Sequence, residues 1–235
     1  FDIITIFPEI FDGLIGQSLI ARAIKKKIIS IKAHNLRNWT NDPHKTVDNR
    51  PYGGGAGMLL KIEPIYKAVN FLNAKRKTQS AKRKSRTVLL SAKGKQFTQK
   101  DARRLSKYDR LIFICGRYEG VDERVAKYIA DEEISVGPYV LFGGEVPAMT
   151  IIEAVSRLVP EVVAKEESIK NESFSDKEST VIEYPQYTRP EIFNPKTKRQ
   201  DKSDKQAWKV PKVLLSGNHK KISSWREKNK GVDSR

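Results

Sequence analysis

The sequence predicts an α/β fold built on a parallel sheet, and two observations carry that expectation. Short apolar, β-prone runs alternate with stretches whose apolar residues recur at helical spacing. Three successive strand ends, at residues 90–94, 116–120 and 137–144, also run into small or glycine-rich loops. Parallel α/β sheets bind ligands beyond the carboxyl ends of their strands, so these loops are expected to converge on one ligand site; the alternative is three independent tight turns.

Taken in order, Asp2 to Phe7 (DIITIF) reads as a buried strand. Pro8 and Glu9 then start a helix with Ile10, Phe11, Leu14, Ile15, Ser18, Leu19 and Ile24 on one face. Lys25, Lys26 and Lys27 end it, where cations suit the helix dipole. Ile28 to Ala33 reads as a second strand. The polar segment 35–57 is long for a connection and reads as a functional loop. Lys45, Asp48, Arg50 and glycines 53, 54, 55 and 57 lie in it, and main-chain amides of such a loop can cradle an anion. Its spacing matches neither the dinucleotide nor the P-loop pattern, so on its own it reads as a flexible loop. Ile62 to Asn73 suits a helix. Residues 74–86 (AKRKTQSAKRKSR) hold seven cations and no acid, a solvated loop able to meet phosphates.

Thr87 to Leu90 reads as a strand closed by Ser91–Gly94, and Thr98 to Tyr108 as a helix capped by Thr98 with Ala102 and Leu105 inward. Leu111 to Cys115 (LIFIC) is the most strand-like run, followed by a helix over Asp122 to Ala130. In 133–160, Ile134, Val136, Tyr139, Val140 and Leu141 lead into Gly143–Gly144. Pro147 then opens a helix whose apolar positions are Met149, Ile152, Val155, Ser156 and Val159. Acids and few large apolar residues mark 161–178 as a linker. Beyond it, Val181 to Arg189, a basic patch at 196–205 and a turn at 216–219 before a basic, Trp-bearing helix suggest a small second domain with a phosphate-facing surface.

At 235 residues the chain has room for one large domain or two modest ones. Lys and Arg number 45 against 28 Asp and Glu, a formal charge of +17 that calls for a polyanionic partner, nucleic acid first. No run of about 18 apolar residues and no leader-like start support membrane insertion or secretion. The single cysteine, Cys115, cannot form an internal disulfide and fits a cytoplasmic enzyme. Metal binding is not predicted, because His34, His44 and His219 lack ligand spacing. Nor does a nucleophile elbow occur. Glu119, Asp122, Glu145, Glu153, Arg157 and Glu172 remain as acid–base candidates, although Glu153 and Arg157 also fit an ordinary i, i+4 pair.

Five motifs in order now bear on identity: RPYGGGAGM at 50–58, CGRYEGVDER at 115–124, GPYVLFGGEVPAM at 137–149, YTRPEIF at 187–193 and VLLSGNH at 213–219. Together they resemble the bacterial tRNA (guanine-N1)-methyltransferase family over nearly the whole chain. The resemblance implies S-adenosylmethionine-dependent methylation of N1 of the guanosine immediately 3′ of the anticodon, position 37. It implies an N-terminal α/β domain of the SPOUT type with a deep trefoil knot, which general topology rules would not suggest. A small, mainly α-helical C-terminal domain that binds tRNA follows. The expected division is 1–163, a 164–178 linker and 179–235. The family is homodimeric, with the guanine held between one subunit's knot and the other's C-terminal domain.

By the same resemblance the cofactor lies against Leu90, Ser91 and Gly94, against Gly116, Tyr118, Glu119 and Gly120, and against Ser135, Val136, Gly137, Tyr139, Leu141, Gly143 and Gly144. Arg157 steadies charge near guanine O6, and the acid of the family's E-D-S-F motif removes the N1 proton. Here that motif reads Asn171-Glu172-Ser173-Phe174, so the base is Glu172, one methylene longer. Pro138 replaces the usual Asp of the G-D-Y loop, Ala92-Lys93 a Pro-Gln, Glu183 an Asp and Gln186 a His. The chain stops at Arg235, short of the helical tail usual in the family. Magnesium is associated with catalysis in the family, and no ligands for it can be assigned. Pro138 and Glu172 leave a second expectation: a catalytically impaired RNA-binding protein of the same fold.

Overall fold

In a computed structural model the chain divides into two units, Phe1–Glu166 and Glu167–Arg235, and the described residues of the first form seven strands and six α-helices. The structure describes residues 1–77, 84–163, 172–175, 180–194 and 207–232. The strands are β1 (Asp2–Thr5), β2 (Lys32–Asn35), a short antiparallel pair of β3 (Asp48–Asn49) with β4 (Leu59–Leu60), β5 (Ser85–Gln96), β6 (Arg110–Cys115) and β7 (Glu132–Ser135). Five of them form one sheet in the order β2-β1-β6-β5-β7, every pairing parallel. The predicted parallel α/β architecture is therefore present.

Side chains alternate across this sheet, as strand geometry requires, and both faces are covered. Ile3, Val88, Leu90, Leu111 and Phe113 pack on one side with Phe11, Ile20, Ala102, Leu105 and Ile152. Ile4, Leu89, Ile112 and Ile114 pack on the other with Ile65, Leu72 and Val125. Phe11 comes from a 3-10 turn at Pro8–Phe11, which leads into α1 (Asp12–Gly16); the other residues come from α2 (Ser18–Lys25), α3 (Ile62–Lys77), α4 (Gln99–Leu105), α5 (Glu123–Tyr128) and α6 (Glu145–Ser156).

Several expectations need correction. The first helix is broken: a 3-10 turn at Pro8–Phe11 and α1 are followed by an extended Gln17, and α2 then starts at Ser18 with φ +64°. Gly13 and Gly16 weaken that stretch, and the break turns the buried face to Ile20 and Ala23, leaving Leu19 39% exposed. The second strand lies later than 28–33. Helix α3 runs past Asn73 to Lys77, because Lys and Arg are good helix formers, and only the rest of the basic segment, 78–83, falls outside the described residues.

Strand β5 is far longer than Thr87–Leu90. Leu90 and Lys95 both face Ile134 of β7, so Ser91–Gly94 bulges from the sheet and the strand then resumes. At Gly94 a Cβ would fall 2.5 Å from the Ile134 nitrogen, so only glycine admits this crossing. Helix α4 begins as predicted, with Thr98 and Asp101 forming a capping box. Strand β7 ends at Ser135, and Val136 to Leu141 form an irregular loop. Helix α6 starts at Glu145, with Pro147 in the first turn, where its missing N–H has no intrahelical role.

The second unit contains β8 (Val181–Ile182), β9 (Ile192–Phe193), β10 (Trp208–Lys209), α7 (Lys212–Leu215), α8 (His219–Lys228) and β11 (Gly231–Val232). Strands β9 and β10 pair antiparallel, as do β8 and β11. The predicted turn at 216–219 is present: Asn218 caps α8 by accepting from the Lys221 amide at 3.0 Å. Most of the predicted linker, and the patch 196–205 from residue 195 onward, lie outside the described residues. Among the described residues no helix is long and apolar enough to cross a membrane.

Candidate functional site

The bulge within β5 and the loops that leave the carboxyl ends of β6 and β7 meet and enclose a cavity of about 280 Å³. Leu90 and Ser91 line it from the β5 bulge, and Gly116, Tyr118, Glu119 and Gly120 from the loop after β6. The loop after β7 contributes Ser135, Val136, Gly137, Tyr139, Leu141, Gly143 and Gly144. Gly94, grouped with these from the sequence, does not line the cavity; it packs under the strand crossing instead. Three turns that could have been unrelated thus share one wall.

Each loop is held by its own hydrogen bonds. Ser135 Oγ donates to the Gly137 carbonyl at 2.9 Å and accepts from the Gly137 amide at 3.2 Å. The Tyr139 amide reaches back to the same carbonyl at 2.9 Å, closing a three-residue turn around Pro138. That turn uses no amide at position 138. Proline is exposed there, its fixed φ suits the centre of such a turn, and no bond of the loop is lost.

The loops after β6 and β7 are then fastened together from behind. Glu145, the first residue of α6, is 1% exposed; its carboxylate accepts from Thr5 Oγ1 at 2.6 Å and from Arg117 Nε at 2.9 Å. The start of a helix is where a carboxylate is favoured. Arg117 in turn lies over the Phe7 ring, 4.8 Å from its centroid. The Gly144 amide donates to the Gly116 carbonyl at 2.9 Å, and a Cβ on Gly144 would come within 2.7 Å of Cys115 Cα. Cys115 is buried, and burial pushes its thiol pKa well up, so it is a packing residue and not a nucleophile. In the sequence Glu145 reads only as a candidate acid and Arg117 carries no signal of its own, although both stand inside the quoted motifs.

Charge around the cavity is mixed. Lys93 donates to Glu123 at 2.6 Å across the exposed rim, a bond that raises the lysine's pKa. Glu119 and Glu133 also line the cavity and form no ion pair among the described residues. The glycine segment 50–58 is no detached loop: the Glu119 amide donates to the Met58 carbonyl at 3.1 Å, and the Leu60 amide to the Gly120 carbonyl at 3.0 Å.

The two predicted catalytic residues are not brought to this cavity within the first unit. Arg157 is the C-cap of α6, a twelve-residue helix whose other end meets the cavity, and twelve residues rise about 18 Å. Glu172 belongs to the second unit, half-buried beside Ser173, whose hydroxyl accepts from the Glu183 amide at 2.9 Å. Among the described residues no group of three His, Cys, Asp or Glu side chains could hold a metal ion.

A glycine-rich cavity at the carboxyl edge of a parallel sheet defines a small-molecule-binding α/β protein of the kind that carries enzymes. The family model described as tRNA (Guanine-1)-methyltransferase TrmD matches residues 1–234. A tRNA (guanine-N(1)-)-methyltransferase of Carboxydothermus hydrogenoformans is 50% identical over 227 residues, 97% of this chain and 81% of its own length. The protein of the same name from Dictyoglomus turgidum is also 50% identical, over 97% of this chain and 83% of its own length. That from Bacillus pumilus is 44% identical, over 97% and 85%. The chain belongs to the tRNA (guanine-N1)-methyltransferase family.

Proposed function

We propose that this protein is a cytoplasmic, homodimeric enzyme that methylates N1 of the guanosine immediately 3′ of the tRNA anticodon, position 37, with S-adenosylmethionine as donor. The observation that carries the reading is the convergence of three chain segments on one glycine-rich cavity in a chain of this family. The cavity fits the donor chemically. Main chain and apolar side chains suit an adenine and a ribose, and the carboxylates of Glu119 and Glu133 suit a cationic sulfonium. Leu90, Ser91, the 116–120 loop and the 135–144 loop would hold it. Bound there, it supplies an electrophilic methyl group.

The protein's own groups do the rest. Neutral guanine carries a proton on N1, so a base must take it before the nitrogen can attack. Glu172 accepts that proton, and Arg157 stabilises the charge left on the ring at O6. Because α6 carries Arg157 a helix length from its own cavity, it would serve the cavity of a second copy, with the guanine between the two subunits. Val140 and Phe142, 89% and 93% exposed beside the cavity, offer an apolar surface for that copy to cover.

The trefoil knot belongs to the same reading. Its support is two backbone crossings tighter than any Cβ allows, at Gly94 against Ile134 and at Gly144 against Cys115. The tRNA would be met by the +17 chain and by exposed aromatic and basic groups of the second unit such as Trp208, Lys209 and Arg226. A binding-only protein is the weaker reading, since Pro138 costs its loop no hydrogen bond. Calorimetry with S-adenosylmethionine tests the assignment: saturable binding is expected, and none would overturn it.

A further inference from the structure

We infer that Gly57 is a positioning residue for the donor cavity: its missing side chain is what lets Glu119 keep its place on the cavity wall. The inference rests on the function proposed above. A Cβ built on Gly57 would lie 2.5 Å from Glu119 Oε1 and 2.9 Å from Glu119 Cδ, and the three nearest atoms all belong to Glu119. Neither backbone can retreat. Besides the Glu119-to-Met58 and Leu60-to-Gly120 bonds, the Asp122 amide donates to the Leu60 carbonyl at 3.0 Å, and Leu60 bridges Val121 in parallel. Leu60 itself is 1% exposed and anchors the segment in the core. What yields to an added methyl group is therefore the flexible carboxylate arm of Glu119, which has no ion pair among the described residues to hold it.

Gly54 supplies the internal control. Its φ of +82° is close to the +79° of Gly57, so alanine meets a left-handed backbone at either position, yet a Cβ at Gly54 would touch nothing within 4 Å. Loss of function at 57 but not at 54 therefore separates contact from conformation.

The experiment measures S-adenosylmethionine affinity by calorimetry, KM and kcat by methyl transfer, and folding by circular dichroism, in the full chain. Gly57→Ala is expected to raise Kd and the donor KM by at least about tenfold, the worth of one displaced hydrogen bond to a charged group, with a smaller change in kcat. Glu119→Ala should lose a similar amount, and the double variant should be no worse than Glu119→Ala alone. Gly54→Ala should keep Kd within about twofold. If Gly57→Ala fails to fold, adding Glu119→Ala must restore folding, since the three atoms nearest the added Cβ all belong to Glu119. Wild-type affinity in Gly57→Ala, losses that multiply in the double variant, or failure of that rescue would each overturn the inference. A wild-type chain that binds no donor would overturn the functional reading with it, whereas a silent Gly57→Ala beside a binding wild type removes the inference alone.

Discussion

Ile3, Phe11 and Phe113 of the first unit are fully buried, whereas not one described residue of the second unit is. The first unit holds its cavity loops by packing against both faces of a five-stranded sheet and by a buried carboxylate–guanidinium pair. The second relies on surface contacts: Phe193 against Trp208 at 5.7 Å, Tyr187 against Trp225 at 6.3 Å and Arg226 over Tyr184 at 5.1 Å. A small donor needs fixed walls, and packed interiors supply them. A polyanion needs cations and stacking faces left in water, and a unit without a deep interior leaves them there.

Breaking the first unit's frame should have the largest effect. Glu145→Ala leaves Arg117 without its partner and Thr5 without an acceptor, and is expected to cost about 3–5 kcal/mol of stability and donor binding with it. Urea denaturation beside calorimetry reads both, and an unchanged midpoint would show that the pair does not hold the loops.

A smaller loss is expected in acid. Burial alone would raise the Asp2 pKa, but hydrogen bonds from His34 and Arg110 overcome it and bring the value down from 3.8 to about 2. A depressed carboxylate stabilises the fold above its unfolded pKa, so this contribution, about 2 kcal/mol, is present at neutral pH and is lost between pH 4 and 2. Stability measured against pH should fall less over that interval in Asp2→Asn. The smallest effect sharpens the contrast: Trp208→Ala should cost under about 1 kcal/mol of stability, because the ring is already 63% exposed, yet it should weaken tRNA binding in a filter assay. Undiminished tRNA affinity would remove Trp208 from the RNA surface.

How much of this was legible beforehand follows from locality. Leu111–Cys115 was readable because a strand buried on both faces must be apolar throughout, and the Thr98 cap because its signal spans four residues. The break at Gln17 escaped because apolar residues continue through it. The extent of β5 escaped because its return to β7 at Lys95 is a long-range pairing that a strand followed by glycine conceals. Periodicity and strand-end rules place the three loops together, but the individual cavity residues come from the motif resemblance. Gly94 shows the limit of that route: the motif marks it, while the structure gives it a backbone crossing to accommodate. Glu145 reads from the sequence as an ordinary helix-start carboxylate, and only the fold brings Thr5 and Arg117 to it.

The proposed methylation is read out by incubating the chain with tRNA and methyl-labelled S-adenosylmethionine and mapping the modified nucleoside. Expected are 1-methylguanosine at position 37, no product when that guanosine is replaced by adenosine, and a rate at least about a hundredfold lower for Glu172→Gln. A donor-binding chain that leaves N1 of guanosine 37 unmethylated would contradict it.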